Sequence, residues 1–247
     1  MTAIRTDGLR KTYGDVTALA DLSLTVEAGE LFALLGPNGA GKTTTIEILT
    51  GQLVPDAGTV EVVGTDPTAD PVETRRRVGI LPEQESPPSF LTPREYFDFV
   101  GTVRGIESAP LRDRVETWAE RLSYTEKLDT LNTDLSRGQQ QKVMITQAFL
   151  HDPDLVFIDE PLANLDPIVQ ERVKRFLTRY RDDGNTLFLS THDIDVAEEI
   201  CSRVGIVSEG RLVGEREPEA LGRGESLLDT FLDSVGGSIE ATAEATD

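Results

Sequence analysis

The chain has 247 residues, a hydrophobic fraction of 38% and a formal net charge of −20 at pH 7. This length is sufficient for a large α/β core in one domain. No apolar run approaches the roughly 18 residues that indicate a membrane span, and the N-terminus lacks the apolar region of a signal peptide. Any link to a membrane is therefore expected through a partner. The acidic excess disfavours nucleic acid as a partner, because nucleic-acid binding normally leaves a basic footprint.

The numbers of acidic and lysine residues also predict the salt concentration to which the protein is adapted. Lysine is scarce, and the sequence has it only at positions 11, 42, 127, 142 and 174. Few lysines on a strongly acidic surface are expected of a halophilic protein, since concentrated salt screens the repulsion that such a net charge causes. The alternative is an ordinary acidic mesophilic protein. The single cysteine, Cys201, cannot form an internal disulfide and is expected to be a small buried residue in a reducing compartment.

The first third of the chain is predicted to begin with antiparallel strands, up to about Glu30, because apolar Leu22, Leu24 and Val26 alternate with polar neighbours. The segments that follow are predicted, in order, as a strand buried on both faces over Leu31–Leu35, a glycine-rich loop over Gly36–Gly41, a helix from Lys42 to Gly51, and short strands over Thr59–Val63 and Val78–Leu81.

The middle of the chain is predicted to be helical from about residue 86 to 150. Thr92-Pro93-Arg94-Glu95 is typical of a helix start, with a threonine cap, proline at the first position and glutamate at the third. Strands return at Leu155–Ile158, Leu187–Leu189 and Val204–Val207, each separated by a helix. The main domain is expected to span 1–223. Residues 224–247 are expected to form a short helix and an acidic tail that is disordered from Gly236 onward.

The loop after the first buried strand matches the P-loop pattern G-x-x-x-x-G-K-[ST] in full. Its glycines allow backbone N–H groups to surround phosphates, and the following helix N-terminus favours negative charge. Lys42 is expected to neutralise the β- and γ-phosphates and Thr43 to ligate Mg²⁺. The predicted ATP-binding residues here are Gly36, Pro37, Asn38, Gly39, Ala40, Gly41, Lys42, Thr43 and Thr44.

An acidic pair follows the apolar strand Leu155–Ile158. Asp159 is placed to hold Mg²⁺, and Glu160 to orient and deprotonate an attacking water. Two acids after a strand are by themselves more often part of an ordinary solvated loop. Together with an upstream P-loop, they indicate a site that hydrolyses a nucleotide.

Leu135-Ser136-Arg137-Gly138-Gln139 resembles the LSGGQ signature of the ABC ATPase family and lies between the P-loop and the acidic strand, as in that family. The resemblance implies that Ser136, Arg137, Gly138 and Gln139 contact the γ-phosphate of ATP held by the opposite subunit. Arg137 departs from the commonest glycine, and a basic residue there is familiar in the ABC-2-type exporter branch. The motifs cover residues 1 to about 220.

Three other positions resemble family motifs. Tyr13 is similar to the aromatic residue that stacks on adenine, although it could be a core tyrosine. Asp166 is similar to the aspartate of the D-loop, through which each subunit senses the other's P-loop, while the residues before it depart from the family pattern. His192, at a strand end, resembles the switch histidine that contacts the γ-phosphate. The resemblance therefore implies catalytic roles for Glu160 and His192.

The Q-loop is the position where the resemblance is weakest. Counting back from Leu91-Thr92 places the family's glutamine column on Glu83, with Gln84 one residue later. Either side chain could reach Mg²⁺ or the lytic water. The spacing favours Glu83 and leaves Gln84 as the alternative.

The family resemblance implies an α/β fold: a P-loop NTPase (RecA-like) core, an N-terminal antiparallel β subdomain and an inserted helical subdomain. It implies an ATPase that uses ATP and Mg²⁺, pairs head to tail with a second copy or a homologous chain, and powers membrane permease subunits from the cytoplasmic face. The alternatives are a soluble relative acting on DNA or ribosomes, disfavoured by the absence of a second cassette or a long coiled coil, and a regulatory module without hydrolysis, disfavoured by Glu160. A GTPase or kinase is excluded by the signature segment.

Overall fold

The computed structural model describes residues 1–83, 86–160, 162, 165–222 and 226–244, with side chains up to residue 235. Nine strands in this part of the chain form one sheet in the order β4-β1-β2-β9-β8-β3-β7-β6-β5. The strands are β1 Thr2–Tyr13, β2 Val16–Glu27, β3 Leu31–Leu35, β4 Ala57–Val62, β5 Val78–Leu81, β6 Leu155–Asp159, β7 Thr186–Thr191, β8 Arg203–Ser208 and β9 Arg211–Arg216.

The sheet has an antiparallel end and a parallel end. Strand β1 pairs antiparallel with both β2 and β4, whereas β8, β3, β7, β6 and β5 are parallel neighbours. Every residue of β3, β6 and β7 is buried, as expected of strands covered by helices on both faces. The carboxyl ends of β3, β7, β6 and β5 therefore lie side by side, at the edge where α/β sheets bind ligands.

Helices cover both faces of this sheet. They are α1 Lys42–Leu49, α2 Pro71–Arg77, α3 Pro93–Arg104, α4 Ser108–Arg121, α5 Arg137–Phe149, α6 Pro167–Asp182, α7 Ile194–Ile200 and α8 Leu227–Glu244. Helices α3, α4 and α5 follow one another between β5 and β6. None of the helices in the described ranges is both long enough and apolar enough to cross a bilayer.

Two apolar clusters hold these layers together. One packs α1 and the antiparallel strands β1, β2 and β4 against the parallel strands, and the other packs the three inserted helices and α6 against the parallel strands. In the second cluster the ring of Trp118 lies 5.2 Å from Phe149 and 4.6 Å from Phe176 between centroids. Trp118 is thus a core residue, and Cys201 is buried, as expected from the sequence. Burial raises the pKa of the Cys201 thiol.

The start of α3 has the predicted cap. The side chain of Thr92 accepts a hydrogen bond from the backbone N–H of Glu95, and the Glu95 carboxylate accepts one from the N–H of Thr92. The helix ends at Arg104 and is capped by Gly105, whose φ of 69° is in the left-handed region that favours glycine.

Helix α8 extends from Leu227 to Glu244. The expectation of a disordered tail from Gly236 onward stays a prediction. Alanine and glutamate have high intrinsic helix propensity, and the sequence 240–244 consists of these residues and one threonine. Residues 223–225, at the expected domain boundary, and residues 245–247 lie outside the described residues.

Candidate active site

The glycine-rich loop connects β3 to α1 and requires glycine at two tight places. Gly41 has a φ of 102°, and a Cβ there would lie 2.5 Å from the carbonyl oxygen of Ala18. A Cβ on Gly36 would lie 2.4 Å from the carbonyl oxygen of Val207. The loop can therefore pass close to its neighbours and end at the N-terminus of α1, where free N–H groups favour an anion.

Lys42, the first residue of α1, turns back over this loop. Its Nζ donates hydrogen bonds to the carbonyl oxygens of Gly36 at 2.8 Å and Pro37 at 3.2 Å. Burial lowers the pKa of the Lys42 ammonium, an effect opposed by the negative charges of Glu160, Asp159 and Glu83. The ammonium is thus held over the loop where phosphates are expected.

Thr43 and Asp159 come from different elements and meet at the centre of the site. The Thr43 hydroxyl donates to Asp159, with 3.1 Å between Oγ1 and Oδ2. Asp159 ends β6 and is only 4% exposed, and burial raises the pKa of its carboxyl group. A hydroxyl and a carboxylate oxygen side by side are ligands of the type that Mg²⁺ prefers.

Glu160 immediately follows β6 in a strained backbone conformation, with a φ of 51°. Its Oε1 accepts hydrogen bonds from the backbone N–H of His192 at 3.1 Å and from the His192 ring, with 2.7 Å to Nδ1. Its Oε2 accepts one from the Thr191 hydroxyl at 3.2 Å. Because an ionised carboxylate can only accept, Nδ1 of His192 carries the proton. The strand end after β7 thus fixes the direction of the Glu160 carboxylate.

These groups surround one cavity of about 350 Å³. It is lined by Val16, Ala18, Asn38, Gly39, Gly41, Lys42, Thr43, Thr44, Glu83, Asp159, Glu160 and His192. The structure therefore brings together most of the loop residues, the acidic pair, His192 and one of the two Q-loop candidates, as expected for four neighbouring strand ends. Gln84, the other candidate, lies outside the described residues.

Three residues of this region were not singled out from the sequence. Val16 and Ala18 reach the cavity from the start of β2, and Thr191 contacts Glu160 from β7. No sequence motif identifies Val16 and Ala18 as residues of the site, because their approach to the loop depends on how the antiparallel strands fold over it. Thr191 had one available signal, which is its position directly before His192.

Tyr13 and the signature segment lie elsewhere. Tyr13 does not line the cavity; it ends β1 with 48% of its surface exposed and its ring 5.9 Å from the Lys11 ammonium, so the alternative of a core tyrosine is wrong. Ser136 caps the exposed N-terminus of α5, and it exchanges hydrogen bonds with Gln139 in the form of a capping box. Neither Arg137 nor Gly138 lines the cavity.

Asp166 has a local structural role in this chain. Its side chain caps α6 by accepting a hydrogen bond from the backbone N–H of Val169 at 3.1 Å. Asn164, two residues earlier, lies outside the described residues. The sequence Asp166-Pro167 already contains the signal for such a cap, which is an aspartate followed by proline at the first helical position.

Comparison with known proteins agrees with this arrangement. The family model described as "ABC transporter" matches residues 19–163. Nod factor export ATP-binding protein I of Paraburkholderia xenovorans (strain LB400) is 37% identical over 223 residues, which cover 89% of this chain and 72% of the relative. The daunorubicin/doxorubicin resistance ATP-binding protein DrrA of Streptomyces peucetius is 35% identical over 213 residues, which cover 86% of this chain and 64% of that protein.

Solved structures give the same result for the fold. An ATP-binding subunit of an ABC transporter aligns with a TM-score of 0.87 at 29% identity, covering 94% of this chain and 99% of that chain. A dimeric ATP-binding cassette in a post-hydrolysis state, bound to ADP and Pi, aligns with a TM-score of 0.82 at 25% identity, covering 88% and 100%. The chain belongs to the ABC transporter family and is an ATP-binding subunit with ATPase activity. The predicted α/β P-loop fold is confirmed.

Proposed function

We propose that this chain hydrolyses ATP in an export system, with Glu160 as the general base. Lys42 neutralises the β- and γ-phosphates, and Glu160 takes a proton from the attacking water while its carboxylate is held by the strand end at Thr191 and His192. The ring of His192 then contacts the γ-phosphate. The observation that carries this proposal is the convergence of Lys42, Asp159, Glu160 and His192 on one cavity.

The residues at this site suit Mg²⁺. Thr43 and Asp159 offer two oxygens 3.1 Å apart, and Mg²⁺ in nucleotide sites is held by one or two protein oxygens together with phosphate oxygens and water. The ion supplies neutralisation of charge on the phosphates when it is bound. Glu83, which also lines the cavity, is the Q-loop residue on the metal side in this proposal.

The working unit proposed is a head-to-tail dimer, formed with a second copy or with a homologous ATPase chain. Support comes from the separation within one chain: Ser136 lies at an exposed helix N-terminus outside the cavity that contains the P-loop. A helix N-terminus is suited to bind phosphate, so Ser136 and Gly138 would complete the site of the opposite subunit, with Asp166 and Arg137 nearby. One of the structurally similar cassettes is itself dimeric.

A mixing experiment tests this arrangement. We expect Lys42→Ala and Ser136→Ala chains to be inactive as homodimers, whereas their mixture contains one site with both intact halves and should regain part of the ATPase activity. The specific activity of the unmutated chain is also expected to rise with protein concentration. A self-contained monomer would be shown by two results together: the specific activity does not depend on protein concentration, and the mixture does not regain activity.

Export through separate membrane permease subunits at the cytoplasmic face is the system proposed. The names of two relatives refer to Nod factor export and to daunorubicin/doxorubicin resistance, and an ATPase of this type needs a partner that forms the membrane path.

A second cavity in the structure also supports a partner of this kind. Between α2 and the end of α3 lies a cavity of about 560 Å³ that shares no lining residue with the nucleotide site. It is lined by Val72, Arg75, Arg76, Val103, Arg104, Ile106 and His151.

The charges in this second cavity are unusual for so acidic a chain. Arg75 donates to the carbonyl oxygens of Thr50 and Gly51, and Arg104 donates to those of Arg75 and Arg76. Within the described residues neither Arg75 nor Arg104 forms an ion pair. Exposed Val72 and Val103 add apolar surface. This combination suits a partner segment that carries both apolar and acidic side chains.

Reversal of the cavity charge tests the partner. The double variant Arg75→Glu/Arg104→Glu is compared with Arg112→Glu, which changes an exposed arginine on α4, in pull-downs from cells that express the membrane permease subunit. We expect the double variant to lose the membrane protein and the control to retain it, with the ATPase activity of each free subunit unchanged. Equal capture by both variants would place the partner on another surface.

A further inference from the structure

Thr191 is the last residue of β7; it directly precedes His192 and donates a hydrogen bond to Glu160. It is 2% exposed and pairs in register with Leu35, the last residue of β3 before the P-loop. Its backbone is thus fixed in the middle of the parallel sheet, and its side chain is fixed with it, because threonine has few accessible rotamers.

The hydrogen bonds of Thr191 determine where its hydroxyl proton points. Oγ1 accepts a hydrogen bond from the backbone N–H of Asp193 at 3.0 Å, and Asp193 in turn caps α7. A hydroxyl has one proton to donate, and among the described residues it is donated to Oε2 of Glu160 at 3.2 Å. The start of α7 therefore directs the Thr191 proton onto the Glu160 carboxylate.

Glu160 needs such support because its own backbone is strained. A glutamate with a φ of 51° occupies a region that L-residues rarely adopt, and such a conformation persists only where the surroundings hold it. The backbone N–H of Glu160 donates to the carbonyl oxygen of Ser190 at 3.0 Å. Strand β7 thus holds both the backbone and the side chain of Glu160.

The contact of the Glu160 carboxylate with the His192 ring differs from the other two because this ring is exposed and has a second proposed role. The His192 ring that donates to Oε1 is 64% exposed, and under the proposed mechanism it is the group that contacts the γ-phosphate. When the ring serves the nucleotide, the Thr191 hydroxyl and the His192 backbone N–H are the remaining donors to the carboxylate. Among the described residues, Thr191 is the donor to Oε2 and the His192 backbone N–H is the donor to Oε1, so loss of the Thr191 hydroxyl leaves the carboxylate with one fixed anchor against rotation about its last torsion.

We propose that Thr191 is a positioning residue for ATP hydrolysis, which acts by holding the Glu160 carboxylate in the direction from which it accepts the proton of the attacking water. This inference rests on the proposed role of Glu160 as the base. It implies that Thr191 contributes to turnover and not to nucleotide affinity.

The test begins with Thr191→Val, which removes the hydroxyl and keeps the shape. A lost hydrogen bond to a charged group corresponds to about a 10- to 100-fold effect. We expect kcat to fall by about that factor with the KM for ATP unchanged, and Thr191→Ser to restore most of the activity. Thr186→Val is the matched control, since it removes a buried hydroxyl from the other end of β7, where Oγ1 accepts from Gly29.

A double-mutant comparison separates positioning from a general structural effect. If Thr191 acts through Glu160, Thr191→Val has no further effect in a Glu160→Gln background, measured by single-turnover hydrolysis. An equal fold-loss in both backgrounds, a loss equal to that of Thr186→Val, or a raised KM with unchanged kcat would overturn the proposal. Thr191→Ala provides the same comparison if the valine variant does not fold.

Failure of this inference is distinguishable from failure of the proposed base. If Glu160→Gln alone retains near-normal turnover, the assignment of Glu160 is wrong, and the inference about Thr191 falls with it. If Glu160→Gln is inactive while Thr191→Val keeps the kcat of the unmutated chain, the base assignment stands and only the inference about Thr191 is overturned.

Discussion

The hydroxyl of Thr43 donates a hydrogen bond to the carboxylate of Asp159, with 3.1 Å between Oγ1 and Oδ2 across 116 residues of sequence. This contact joins the first turn of α1 to the end of β6 and places both proposed Mg²⁺ ligands together.

The contact predicts a difference between two substitutions of Thr43. Thr43→Val removes the ligand oxygen at nearly constant volume, whereas Thr43→Ser keeps it. We expect Thr43→Val to need at least about tenfold more Mg²⁺ for half-maximal ATPase activity, the effect typical of losing a metal-site group, while Thr43→Ser stays close to the unmutated chain. Mg²⁺ titration of the steady-state rate measures this. The same Mg²⁺ requirement in both variants would remove Thr43 from the metal site.

Glu83 and Gln84 make opposite predictions for the same titration. Since Glu83 lines the cavity, we expect Glu83→Gln to lower the affinity for Mg²⁺ modestly and to leave nucleotide binding intact, because a carboxylate near the phosphates is tolerated only against the metal. Gln84→Ala should then change hydrolysis little. A larger Mg²⁺ defect in Gln84→Ala than in Glu83→Gln would shift the Q-loop assignment by one residue.

His151 makes the stability of the chain depend on pH. Its Nε2 lies 3.1 Å from the carbonyl oxygen of Val78 and donates to it. Burial, together with the positive charges of Arg104 and Arg114, lowers the pKa of His151 from 6.5 to about 4. Between these values the unfolded chain binds more protons than the folded chain, so the free energy of unfolding decreases as the pH falls from 6.5 to 4.

The comparison variant is His151→Gln, which can still donate to Val78 and does not titrate. We expect the unmutated chain to lose more stability than this variant over that pH interval, by at most about 1.4 kcal/mol per pH unit. Urea unfolding at several pH values measures the difference. Parallel curves for the two proteins would show that His151 is not the group responsible.

The net charge of −20 predicts stabilisation by salt. Repulsion among the acidic residues weakens as salt screens it, and the Debye length falls to about 3 Å at 1 M. If the protein is halophilic, the melting temperature continues to rise into molar KCl, beyond the range in which screening changes. Sucrose at equal osmolality is the control for solvent exclusion without charge. The same melting temperature in dilute and molar KCl would contradict the halophilic interpretation.

The sequence predicts this site to the extent that its parts are local. The P-loop between a buried strand and a helix, the acidic pair after Ile158 and the capping box at Thr92 each depend on residues within one short segment. The contact between Thr191 and Glu160 spans 31 residues and depends on the register between β6 and β7, so spacing along the chain does not reveal it.

Two other features of the structure, the backbone of Glu160 and the end of the chain, also show that short sequence patterns report only local structure. The left-handed backbone of Glu160 has no signal in its sequence, because glutamate rarely adopts it. Composition predicts disorder after Gly236, whereas the helix propensity of alanine and glutamate favours the helix that extends from Leu227 to Glu244.

The substitution Glu160→Gln tests the central claim most directly, because it removes the base and keeps the side-chain shape. Turnover is predicted to fall by about 10²- to 10⁴-fold, the usual effect of losing a general base, while ATP affinity is retained. With ATP and Mg²⁺ the variant should elute from a sizing column as a dimer that does not hydrolyse its nucleotide. Near-normal ATPase activity in Glu160→Gln would contradict the account, since another group would then have to activate the water.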